Sequence, residues 1–173
     1  PPRGPDLDLL DFIDRDDALA SLGQTVMVTN ITHFHRISTL LNQYTKEPVA
    51  IALSIGLLNE LFKEKWADTP GGILATMGHI FVNRTKFYVT PWINRKTGEF
   101  VTATTYRAPE KYHYLYRHLC ANGDIVDVPY FNQKLLFQTP RDIIRMIRAD
   151  DEQWKEYVPE QAYRMVEHLK ESN

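Results

Sequence analysis

Short apolar runs alternate with amphipathic stretches along most of this chain. Thr25-Val-Met-Val-Thr-Asn30 is followed by Ile31-Thr-His-Phe-His-Arg36, and Val49-Ala-Ile-Ala-Leu-Ser54 by Ile55-Gly-Leu-Leu-Asn-Glu60. Each run stops at a small polar residue where an amphipathic helix begins, a pattern that predicts strand–helix units and a parallel sheet. Ile31, Phe34, Ile37, Leu40, Leu41 and Tyr44 give the first of these helices one apolar face. Val49 to Leu53 is almost wholly apolar, which predicts a central strand buried on both faces.

The rest of the chain follows the same logic. Leu57, Leu58, Leu61, Phe62 and Trp66 mark the second helix. Asp68 or Thr69 can cap a third that starts at Pro70, with Gly72 in ordinary helical conformation. Lys86–Thr90 and Glu99–Thr105 read as a hairpin across Asn94-Arg-Lys-Thr-Gly98. Pro109 opens a tyrosine-rich helix that ends near Asn122-Gly123, and Ile125–Val128 reads as a short edge strand. Thr139-Pro140 and Pro159 open two further helices, the last carrying Ala162, Val166 and Leu169. Residues 1–6 cannot pack and read as a disordered lead or linker, with a short helix or docking segment from Leu7 to Ile13. The expectation is one α/β domain over 7–173. It has three layers, a small mostly parallel sheet finished by a C-terminal β-hairpin, and a helical tail from about 139.

Composition narrows the function classes. A formal charge of −2 lacks the basic footprint of nucleic-acid binders, so nucleic acid is not an expected partner. No apolar stretch has the length of a membrane span. One cysteine, Cys120, allows no internal disulfide and fits a reducing compartment, so the cytoplasm is the expected location.

In parallel sheets ligands bind outside the carboxyl ends of the strands. The candidate ligand residues are therefore Asn30, Thr32 and His33 at the first junction, and Ser54 and Gly56 at the second. Free backbone N–H groups at such helix starts suit anions, although simple capping also explains Asn30. Gly71 and Gly72 join the set. Two glycines early in a helix cost stability, so either close packing or backbone approach of a ligand must favour them. His33 and His35 lie two apart, which on a helix separates them and argues against a shared metal. No metal site and no cofactor fingerprint are seen. In the tyrosine-rich helix, Tyr112, Leu115, Tyr116 and Leu119 suffice as a core face. That leaves His113, Tyr114 and Arg117 as a candidate protein interface.

Val28-Thr-Asn30 before a helix, Trp66-Ala-Asp-Thr-Pro-Gly-Gly-Ile-Leu74 with Gly78 and Phe81, and Asp150-Asp-Glu-Gln-Trp154 before Val158-Pro159 carry a resemblance. Together they resemble a little-characterised group of bacterial proteins sometimes labelled nicotinamide-nucleotide adenylyltransferase-like. The resemblance implies ATP phosphates at a His-x-Gly-His motif opening the first helix; this chain has Thr32-His-Phe-His35 there, without the glycine. Two functions are expected. One is a non-catalytic α/β domain that binds a partner protein, a second copy or a small ligand within a larger assembly. The other is a nucleotide-binding transferase that uses the two junctions.

Overall fold

The structure is a computed structural model that describes residues 9–171; the expected disordered lead over 1–6 and Leu7 lie outside the described residues, as do the side chains of Leu9, Leu10, Phe12 and Leu169. The chain divides into two compact units. One is Asn30–Phe137; the other is formed by the segments up to Thr29 and from Gln138 onward.

The Asn30–Phe137 unit is α/β. Its elements are α2 (Phe34–Tyr44), β1 (Ala50–Ser54), α3 (Ile55–Leu61), α4 (Gly72–Ile80), β2 (Lys86–Thr90), β3 (Trp92–Ile93), β4 (Phe100–Val101), α5 (His113–Ala121) and β5 (Ile125–Asp127). β1, β2 and β5 form a parallel sheet in that order, with β2 in the middle. β3 and β4 form a separate antiparallel pair. In the other unit, helix α1 (Leu9–Ser21) is joined by α6 (Pro140–Arg148) and α7 (Glu160–Glu171). α6 begins with a capping box: Asp142 N–H donates to Thr139 Oγ1 at 3.3 Å and Thr139 N–H to Asp142 Oδ2 at 2.9 Å.

The register explains which side of the sheet is filled. Ile51 and Leu53 pair with Phe87 and Val89, and Phe87 pairs with Ile125. These side chains share one face and join Leu58, Ile73, Ile80 and Leu119 in a single core cluster. Ala50, Ala52 and Ser54 point the other way and are exposed. β1 is therefore an edge strand filled on one face, not a central strand buried on both. The signal was side-chain size. Within the apolar run, alanine alternates with isoleucine and leucine at period two.

Three further expectations are corrected. Val26–Thr29 forms no strand, and residues 24–33 have no regular structure. A strand exists only where a partner completes its ladder; Met27 and Val28 are exposed and find no core. The hairpin is not built on Lys86–Thr90. β2 has parallel neighbours on both sides, so no edge is free, and Pro91, which lacks an N–H, separates it from β3. The expected turn survives: Asn94 N–H bonds Glu99 O at 2.9 Å. The hairpin thus closes its own small sheet rather than finishing the parallel one.

The buried face of α2 is polar. His35, Ser38 and Asn42 are buried, whereas Tyr44 is exposed. α2 packs on α4, whose last carbonyls have no helical partner. Ser38 Oγ donates to Ile80 O at 2.7 Å and lies 3.0 Å from Thr85 Oγ1, and Asn42 Nδ2 reaches Ser38 Oγ at 3.4 Å. The Ser38 hydroxyl thus satisfies a carbonyl at the buried end of α4.

Candidate functional site

The carboxyl ends of the parallel strands carry a cleft. β1 runs into α3 without a loop because Ser54 caps the helix, its Oγ accepting Leu57 N–H at 3.3 Å. β5 ends on Asp127, whose carboxylate accepts Ala103 N–H at 2.5 Å and the Thr104 hydroxyl at 2.7 Å. Tyr116 OH donates to Ala103 O at 2.5 Å, and Thr102 N–H to Thr105 Oγ1 at 2.9 Å. These bonds fix the 102–105 turn over the end of the sheet. Tyr106 follows, its hydroxyl donating to Asn59 Oδ1 at 2.9 Å. Burial raises the Tyr106 phenol above its ordinary range, so it stays a neutral donor.

The cleft so formed has a volume of about 650 Å³, lined by Ser54, Gly56, Asn59, Trp92, Glu99 and Arg107 among others. That is the size of a small-molecule pocket. Trp92 is 47% exposed. The Arg107 guanidinium has no hydrogen bond or ion pair among the described residues. Gly56 needs no special backbone; a Cβ there would meet only Ser54 Oγ, at 3.8 Å. A neighbouring cleft of about 470 Å³ shares Tyr106 and includes Arg117, Cys120 and Asp127. Burial raises the Cys120 thiol, which keeps it protonated and a poor nucleophile.

The first junction lies elsewhere. Asn30 is exposed and lines none of the described cavities. Thr32 and His33 line a smaller cavity of about 70 Å³ with Phe34, His35, Trp66 and Thr76. The structure therefore does not bring Asn30, Thr32 and His33 together with Ser54 and Gly56. Nor are His33 and His35 held apart by helical spacing, because α2 starts at Phe34 and His33 is its extended N-cap. Their ring centroids are 5.5 Å apart. Both face Asp68, His35 Nε2 at 3.2 Å and His33 Nε2 at 3.9 Å, with Arg36 at 2.6 Å. Burial works to raise the Asp68 carboxyl, but Arg36 and the two histidines outweigh it and hold it below the ordinary carboxylate range. Among the described residues no group of three or more His, Cys, Asp or Glu is placed to hold a metal.

Asp68 thus clasps α2 instead of capping the helix that follows it. α4 starts at Gly72, not Pro70, and Gly71 and Gly72 have φ of 98° and 63°. The left-handed backbone accounts for both glycines without a ligand. His113 opens α5 with its ring centroid 3.9 Å from that of Tyr114, which is 77% exposed; Arg117 is exposed one turn on. Tyr112, Tyr116 and Leu119 are buried. Sequence reasoning missed Asn59, Trp92, Arg107 and Asp127. A tryptophan directly after a strand-ending proline was the available signal for Trp92. No family model, curated protein or solved structure matches the chain.

Proposed function

We propose that the Asn30–Phe137 unit is a non-catalytic binding domain for a small anionic ligand with a planar group, seated at the carboxyl ends of the parallel strands. The observation that carries this reading is the unpaired Arg107 beside the half-exposed Trp92 in one cleft. Arg107 suits a phosphate or carboxylate, and Trp92 offers a stacking surface for a flat ring. Glu99 and Asn59 on the same walls can accept from ligand hydroxyl or amino groups. Nucleotides combine these features and are the first class to test.

The test is a thermal-shift screen with ATP, NAD and NMN, with and without magnesium, on the parent chain, Arg107→Gln and Trp92→Ala. A ligand at 100 times its dissociation constant stabilises a fold by about 2.7 kcal/mol. The parent is expected to shift with at least one nucleotide and both variants to lose that shift. No shift with any nucleotide, or a shift that survives both substitutions, overturns the reading.

A further inference from the structure

Two clefts open side by side at the carboxyl ends of the parallel strands, and Tyr106 lines both. The larger, of about 650 Å³, lies at the end of β1 beside Ser54. The smaller, of about 470 Å³, lies at the end of β5 beside Asp127. The strand register sets their separation. Ser54 pairs with Thr90 and Asp127 with Val89, so only β2 stands between them. Two strand spacings place Ser54 and Asp127 about 10 Å apart. Tyr106 is anchored on both sides. Its hydroxyl donates to Asn59 Oδ1 at 2.9 Å in the larger cleft. Its ring stands edge-on to Tyr116 in the smaller one, with centroids 5.2 Å apart.

Each cleft carries one arginine without a partner. Arg107 lines the larger and Arg117, exposed on α5, the smaller; neither guanidinium has a hydrogen bond or ion pair among the described residues. The carboxylate in the smaller cleft is already engaged. Asp127 Oδ1 accepts Ala103 N–H at 2.5 Å and Oδ2 accepts the Thr104 hydroxyl at 2.7 Å. Resting on the function proposed above, we infer that one ligand occupies both clefts: a nucleotide with two separate phosphate groups, one held by Arg107 and the other by Arg117, lying across Tyr106. The planar fork of each arginine matches a phosphate. A nucleotide with one phosphate would leave Arg117 unused. A nucleoside 3′,5′-bisphosphate carries its phosphates on opposite sides of one ribose and keeps its base free to stack on Trp92.

The test is calorimetric titration of the parent chain with AMP and with adenosine 3′,5′-bisphosphate, which differ by one phosphate. The bisphosphate is expected to bind about tenfold more tightly, the gain of one charge-assisted contact. Arg117→Gln should bring it down to the affinity of AMP, and Arg117→Lys should keep part of the preference. Arg117 makes no bond in the fold, so both variants should unfold at the temperature of the parent. Equal affinity of the parent for the two nucleotides would overturn this inference and leave the single-cleft reading standing. So would a preference that survives Arg117→Gln, or an Arg117→Gln variant that weakens both nucleotides alike. Failure of the parent to bind either nucleotide would overturn both readings together.

Discussion

His35 sets its Nε2 3.2 Å from Oδ1 of Asp68, which joins the first turn of α2 to the segment that leads into α4. Burial lowers the His35 pKa from 6.5; Asp68 acts against that, while His33, Arg36 and His79 add to it. In the window between the lowered value and 6.5 the unfolded chain binds more protons than the folded one. Stability is then complete above 6.5 and falls as pH drops through the window. Urea denaturation from about pH 8 to about pH 5 should show that loss, and His35→Gln should flatten it. An identical slope in parent and variant would assign the pH dependence to other groups.

Gly72→Ala is expected to destabilise the fold, reversing the gain that an ordinary helical position would give. The left-handed conformation costs an L-residue about 1–2 kcal/mol, and no crowding adds to it, since a Cβ there meets nothing within 4 Å. Gly71→Ala should cost more, because its Cβ would lie 2.9 Å from Ala75 Cβ. Chemical denaturation of the two variants checks both the sign and the order.

Asp127 is a positioning residue for the cleft rather than a ligand contact. Asp127→Ala removes the acceptor for Ala103 N–H and Thr104 Oγ1 and should cost about 1.5–3 kcal/mol. The loosened 102–105 turn should also weaken nucleotide binding at Arg107 two residues on. Asp127→Asn keeps one acceptor oxygen and should recover part of both effects. Loss of stability with unchanged ligand affinity would separate the turn from the site.

Much of the local structure was legible along the chain. Val49–Ser54, Lys86–Thr90 and Ile125–Val128 read as strands, Asn94–Gly98 as a turn, and Thr139-Pro140 as a helix start. Each depends on neighbours in sequence: side-chain period, a fixed proline φ, a capping hydroxyl. Ser54 and Gly56 were legible as cleft residues for the same reason, since a strand–helix junction is local. Arg107 and Trp92 were not: Arg107 follows a turn that Asp127 holds from far away in sequence, and Trp92 takes its place from pairing with Val101.

The sequence by itself therefore determined the α/β class, the positions of the three parallel strands and the Thr139 cap of α6. Only the tertiary structure decided that β2 lies between β1 and β5, that Val26–Thr29 pairs with nothing, and that α2 buries His35, Ser38 and Asn42. Strand pairing is set by which surfaces meet: the alternation within Val49–Leu53 tells which face is filled, but not which strand lies beside it. The same holds for His33, His35 and Asp68. Helical spacing separates the two histidines, yet a helix that starts one residue after His33, and a carboxylate from a distant turn, bring them together.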